Sequence, residues 1–171
     1  RGPSPATIAW AAGNPQGATV RFPQRPTASA PHPYVTSISL PAAFEEFVAL
    51  WNREQFWESH EALEAPWRRS RSVFFKGLIL HASALVHAQR GNARGVLAQL
   101  RKAEAHLAPY RPFYLGVDVN ALLAHAERCR GAIGPDPDRA LPGWAARIPP
   151  LRLRPEPHLV RGDEMELRDW S

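Results

Sequence analysis

Residues 72–89, SVFFKGLILHASALVHAQ, carry apolar side chains around nearly the whole circumference of a helix. A helix that is apolar on every side has to be covered on every side, because any exposed face would leave apolar surface in water. This stretch therefore predicts a buried central helix. The sequence on both sides of the stretch has to supply the elements that cover this helix.

The residues after the central helix predict a helical hairpin. Gly91 is typical of a position just after a helix and Asn92 of an N-cap, so the connection is very short and the two helices pack antiparallel. The fourth helix ends at Pro109, and a fifth helix begins with Asp118 as its cap and ends at Gly131. Their apolar stripes are Val96, Leu100, Ala103 and Leu107 on the fourth helix, and Leu122, Leu123, Ala126 and Cys129 on the fifth.

Two more helices are predicted before the central one. The first spans about 41–52 and begins at Pro41. The second spans about 53–65, because Pro66 has no backbone N–H to donate and disfavours helical geometry at the residue before it. The pattern predicts an irregular array of about five helices around a buried third helix. One face of the first helix carries the apolar residues Phe44, Phe47, Val48 and Trp51.

The prolines separate this helical segment from two arms. Eight of the 18 prolines lie before residue 42 and seven after residue 131, so only three lie in the 90 residues between. We expect residues 41–131 to form the helical domain, with a mostly irregular N-terminal arm at 1–40 and a C-terminal arm at 132–171. The weak alternation of apolar residues beyond residue 150 fits either a short hairpin or no regular structure.

Composition excludes several classes of protein. Hydrophobic residues make up 44% of the chain and charged residues 22%, which is too apolar for a disordered chain. No apolar run reaches the roughly 18 residues of a membrane span, and the run at 8–12 is shorter than that of a secretory signal. The single cysteine, Cys129, cannot form an internal disulfide. We therefore expect a soluble cytoplasmic protein without a membrane partner; the sequence leaves a homo-oligomer open.

His60 and Glu64 are the most informative polar residues. At about 100° per residue, both lie within the apolar stripe of the second helix, with Glu61 at its edge. Burying a lone carboxylate is unfavourable, so Glu64 needs a partner, and His60 lies one turn earlier. The leading interpretation is a buried structural His60–Glu64 pair that fixes the second helix on the third and requires no cofactor.

The same residues also have the spacing of metal ligands. Side chains at i and i+4 project from one helix face, as the two histidines of an H-E-x-x-H metalloprotease helix do. The alternative function is therefore a metal-dependent hydrolase with a divalent ion and with Glu61 as general base. No other catalytic motif is recognisable, so the non-enzymatic interpretation is favoured. The candidate metal ligands are His60, Glu64, His81, His87 and His125.

The densest basic cluster is Arg68, Arg69 and Arg71, beside the end of the second helix. The net charge of +5 is spread along the chain, and arginine outnumbers lysine 19 to 2. A nucleic-acid interface needs basic residues on one face, whereas arginines at a helix C-terminus also complement the helix dipole. A nucleic-acid or protein binding module is the second alternative, and nucleic acid is the less favoured partner.

The order of residues in this region resembles a known family. The stretch 57–67, WESHEALEAPW, is followed by GLI at 77–79, by His87 and by GN at 91–92. Over about residues 44–110 these motifs resemble the small prokaryotic family known as domain of unknown function 309. The resemblance implies a compact all-α protein of about five irregularly arranged helices, with no established activity. It also implies the family's signature positions, which are His60, Glu61, Glu64, Trp67, Gly77 and Asn92.

Overall fold

The computed structural model describes residues 38–168, which contain five α-helices and one short β-hairpin. The predicted all-α array of five helices is confirmed, whereas residues 1–37 of the predicted N-terminal arm lie outside the described residues. No helix within 38–168 has the length and apolarity needed to cross a bilayer. The helices are α1 (Ala42–Asn52), α2 (Phe56–Ser70), α3 (Val73–Gln89), α4 (Ala93–Leu107) and α5 (Val119–Ile133). The antiparallel strands are β1 (Phe113–Tyr114) and β2 (Val117–Asp118).

Helix α3 is the buried central helix that its apolar pattern predicts. Twelve of its residues are buried, and it packs against both α2 and α4. Gly77 permits the approach of α4, because a Cβ atom at this position would lie only 2.7 Å from the Leu107 side chain. The helix begins at Ser72, whose hydroxyl accepts a hydrogen bond from the Phe75 N–H at 2.9 Å.

The turn between α3 and α4 has the predicted chemistry. Gly91 has a φ of 67°, in the left-handed region that favours glycine. The Asn92 side-chain oxygen accepts a hydrogen bond from the Gly95 N–H at 2.8 Å and so caps α4. The short connection places α3 and α4 antiparallel, in contact along their lengths.

The predicted end of the second helix is wrong. Helix α2 passes through Pro66 and ends at Ser70, where Arg71 takes the left-handed conformation with a φ of 57°. Pro66 removes one backbone hydrogen bond, but Leu63 and Ser70 on either side of it are buried. Their packing holds the helix together across the missing bond, so the proline does not break it.

The fifth helix also extends further than predicted. Asp118 caps it as expected, since its carboxylate accepts a hydrogen bond from the Ala121 N–H at 2.9 Å. The helix does not end at Gly131 but continues to Ile133, and Gly134 follows with a φ of 90°. The glycine that ends the helix is therefore the one whose backbone needs the left-handed region.

Residues 134–168, the C-terminal segment, contain no α-helix or strand and cross the helices with short 3-10 turns. The Trp51 indole N–H donates to the Leu151 carbonyl at 2.8 Å. Asn52 donates to the Leu153 carbonyl and accepts the Leu153 N–H, each at 2.8 Å. The hairpin considered beyond residue 150 is absent from the described residues, and the Leu153 backbone pairs instead with the Asn52 side chain.

Two buried carboxylates hold the far end of the C-terminal segment. Glu166 accepts hydrogen bonds from the Tyr114 hydroxyl at 2.8 Å and from the Ser72 hydroxyl. Glu164 accepts two backbone N–H groups of the preceding turn, that of Arg161 among them, at 2.9 and 2.7 Å. Burial opposes ionisation of Glu164, but these hydrogen bonds outweigh it and lower the pKa of the carboxyl below its ordinary value.

Candidate metal-binding site

His60, Glu61 and Glu64 come together on α2. His60 Nε2 lies 3.5 Å from Glu64 Oε1, and His60 Nδ1 lies 3.1 Å from Glu61 Oε1. One candidate ligand atom from each of the three residues lies within 4.8 Å of the other two. Because residues i and i+4 are neighbours on a helix surface, the local helix geometry is sufficient to form this cluster.

The cluster is not buried, contrary to the expectation from the apolar stripe. The side chains of His60 and Glu64 are 17% and 25% exposed, and that of Glu61 is 53% exposed. The face of α2 that enters the core contains Leu63, about 100° around the helix from Glu64. Trp57 belongs to the same stripe yet is 51% exposed. The apolar residues of α2 therefore cover a wider face than the one that packs.

Neighbouring side chains fix the orientation of both His60 and Glu64. Arg68 donates to Oε2 of Glu64, which leaves Oε1 facing His60. The Trp57 ring stacks on the His60 imidazole, with centroids 5.5 Å apart and planes inclined by 21°. Arg90, directly after α3, in turn lies over the Trp57 ring, 5.7 Å from its centroid. The imidazole and the carboxylate are thus each contacted by a further side chain besides each other.

The other candidate histidines lie elsewhere. His87 accepts a hydrogen bond at Nδ1 from the Asn92 side-chain amide, 3.1 Å away. His81 is only 1% exposed, and its Nε2 lies 3.0 Å from Nδ1 of His125. Within the described residues none of these three histidines joins the cluster formed by His60. A third histidine ligand from a neighbouring helix, considered from the sequence, is not placed beside the pair.

His81 and His125 instead form a buried pair that was not predicted from the sequence. Their rings stack with centroids 5.3 Å apart, and Trp51 packs edge-on against His81. His125 donates from Nε2 to the Pro149 carbonyl at 3.0 Å, so its Nδ1 accepts the Nε2–H of His81. Burial penalises the charged rings and lowers the pKa of His81 to about 3 and that of His125 to about 4. Both histidines are therefore neutral near pH 7.

The three arginines of the basic cluster lie in the last turn of α2 and directly after it, and two of them contact other side chains. Arg68 pairs with Glu64, and the Arg71 guanidinium lies over the Trp67 ring at 5.7 Å. Arg69 is exposed. Two of the three guanidinium groups are thus engaged within the fold, which gives the nucleic-acid alternative no specific support.

Fold and site together define a small all-α domain with a partly exposed His–Glu cluster on its second helix. Residues 44–98 match the family model described as domain of unknown function (DUF309), the family that this region was predicted to resemble. The match covers most of α1, all of α2 and α3, and the first part of α4, so it includes the cluster, whereas α5 and the C-terminal segment lie outside it. The family description assigns no activity. Neither a curated protein nor a solved structure matches the chain.

Proposed function

We propose that the protein binds a divalent metal ion at His60 and Glu64 of α2. The observation that supports the proposal is the 3.5 Å separation between His60 Nε2 and Glu64 Oε1. Two tetrahedral ligand atoms, each about 2.0–2.2 Å from a zinc ion, lie roughly 3.4 Å from each other. The two atoms therefore already have the separation that neighbouring ligands of one ion need.

The groups around the pair fit this role. The ring N–H at His60 Nδ1 donates to Glu61 at 3.1 Å, which leaves the Nε2 lone pair available to a metal. A carboxylate behind a metal-binding histidine is a common arrangement that orients the ring and makes it a stronger ligand. Arg68 orients Glu64 in the same way through the other oxygen. We therefore assign Glu61 as a positioning residue, in place of the general base considered from the sequence.

The donor set leaves coordination positions for other groups. Two protein ligands are fewer than the three of most catalytic zinc sites, so water, a substrate or a second copy of the chain would complete the coordination. A divalent ion bound there would supply Lewis-acid chemistry. Because Glu61 is held by His60 at 3.1 Å, the arrangement supports metal binding more directly than it supports hydrolysis.

A purely structural role for the pair is the competing explanation. The side chains of His60 and Glu64 are partly exposed, at 17% and 25%. Exposed ion pairs typically contribute only about 0–1 kcal/mol to the free energy of unfolding. A structural role would therefore stabilise the fold only slightly. It would not explain why Glu61 and Arg68 also contact the pair.

Metal titration tests the proposal. Isothermal titration of the purified protein with Zn²⁺ and with Mn²⁺ should show one ion per chain, and His60→Ala or Glu64→Gln should abolish binding. Glu61→Gln should weaken binding by about 10- to 100-fold, as expected of a group that orients a ligand.

Glu58→Gln is the matched control, because Glu58 is an exposed carboxylate on the same helix. Its affinity for the metal should equal that of the wild type. A wild-type protein that binds neither ion, together with lower melting temperatures for His60→Ala and Glu64→Gln, would show that the pair is structural only.

A further inference from the structure

We propose that a second site, a cavity between the helices and the C-terminal segment, binds a zwitterionic α-amino acid with an apolar side chain. The cavity has a volume of about 330 Å³. Small-molecule sites span roughly 300–1,000 Å³, and a cavity of about 150 Å³ holds benzene. The volume therefore suits a ligand about the size of one amino acid. This site is separate from the metal site, and neither proposal depends on the other.

The interior of the cavity accepts an apolar group. His125 borders the cavity, but both nitrogens of the His125 ring are already hydrogen-bonded, to His81 and to the Pro149 carbonyl. A polar ligand group next to this ring would find no free nitrogen on it. The apolar walls include Phe56, Leu85, Ala88 and Ile148.

The rim of the cavity carries one acidic and one basic group. The side chains of Glu54 and Arg152 are 57% and 48% exposed, and their charged atoms lie 3.6 Å apart. This separation is longer than a hydrogen bond, and exposed ion pairs contribute little to stability, so the two side chains can part easily. Glu54 then matches a ligand ammonium group and Arg152 a ligand carboxylate.

This charge arrangement distinguishes a zwitterion from ligands with one charge. A simple carboxylic acid would be attracted by Arg152 but repelled by Glu54. A simple amine would be attracted by Glu54 but repelled by Arg152. An α-amino acid presents both charges on one carbon atom, at the spacing of two adjacent groups. It can therefore satisfy both rim residues while its side chain enters the apolar interior.

The backbone at Glu54 is held in a costly conformation. Its φ is 62°, in the left-handed region that a non-glycine residue seldom occupies. The Glu54 N–H donates to the Trp51 carbonyl and the Glu54 carbonyl accepts from the Gln89 side chain, both at 2.9 Å. The surrounding structure thus holds Glu54 at the rim in a backbone conformation that would be less strained for glycine.

Isothermal titration with L-leucine and L-phenylalanine tests this proposal. The two single-charge analogues of leucine are isocaproate, which lacks the ammonium group, and isoamylamine, which lacks the carboxylate. Each should bind at least about tenfold more weakly than leucine, since each loses one charge-assisted hydrogen-bonding group.

Two variants locate the binding. Glu54→Gly removes the rim carboxylate and also relieves the left-handed backbone, so this variant should fold, and it should bind leucine at least about tenfold more weakly. Arg152→Gln should weaken binding by a similar factor, while the control Arg154→Gln, an exposed arginine two residues along the same segment, should leave it unchanged. Three results would each overturn the proposal. They are no binding of either amino acid at millimolar concentration, equal binding of leucine and isocaproate, and unchanged affinity in both rim variants.

Discussion

Lowering the pH from about 7 to about 5 should destabilise this protein through His81 and His125. In the folded chain, burial lowers the pKa of these histidines to about 3 and about 4, whereas an unperturbed histidine titrates near 6.5. Between these values the unfolded chain binds more protons than the folded chain, so the free energy of unfolding falls as the pH falls. The contribution of the neutral pair is complete above pH 6.5 and is lost progressively as the pH falls, down to about 4 for His125 and about 3 for His81.

The size of the effect follows from the same pKa values. Each pH unit below 6.5 removes about 1.4 kcal/mol per histidine from the free energy of unfolding. At pH 5 the loss is therefore about 2 kcal/mol for each histidine and about 4 kcal/mol for the pair. Small domains have total stabilities of roughly 5–15 kcal/mol, so the melting temperature should fall by about 10 °C or more.

Thermal melts followed by circular dichroism at the two pH values provide the assay. The variant His125→Gln should be less stable than the wild type near neutral pH, but its melting temperature should change about half as much with pH, because one of the two buried histidines is gone. His158→Gln is the control, since the His158 side chain is 73% exposed. A wild-type melting temperature that is equal at both pH values, or an undiminished pH dependence in His125→Gln, would refute the reasoning.

Two further predictions concern packing and the C-terminal segment. Gly77→Ala should lower the free energy of unfolding in urea by about 1–3 kcal/mol, because the new Cβ would meet Leu107 at 2.7 Å, whereas Gly131→Ala, with nothing within 4 Å, should stabilise α5 by about 0.4–1 kcal/mol. Equal effects of the two substitutions would contradict the packing of α3 on α4. Asn52→Ala removes both hydrogen bonds to Leu153 and should increase the rate of limited proteolysis in the C-terminal segment. Cleavage at the wild-type rate would show that these bonds do not hold the segment.

Local patterns predicted the helices well, because their causes are local. The apolar circumference of α3 requires burial wherever the helix lies, and Asn92 and Asp118 cap helices through their own adjacent backbone groups. The contact between His60 and Glu64 is also local, since one helical turn brings these side chains together. Their exposure is not a local property. It depends on which part of the apolar face of α2 the other helices cover.

The buried histidine pair shows what a single sequence cannot supply. His81 and His125 each lie on the apolar side of their helix, and that was the available signal. Their contact joins residues 44 positions apart and depends on how α3 and α5 are rotated and placed. Likewise, the hydrogen bonds from Asn52 to Leu153 span 101 positions, and no periodicity in either segment records them.

The attachment of Trp51 to the Leu151 carbonyl has a consequence for the order of folding during synthesis. These partners are 100 positions apart, so α1 leaves the ribosome long before the carbonyl that its indole group needs. Until then the end of α1 lacks its final cover, and the nascent chain has to keep Trp51 among local helices alone. Helix α1 can therefore complete its contacts only after residue 151 has emerged, although it precedes the other helices of the described residues.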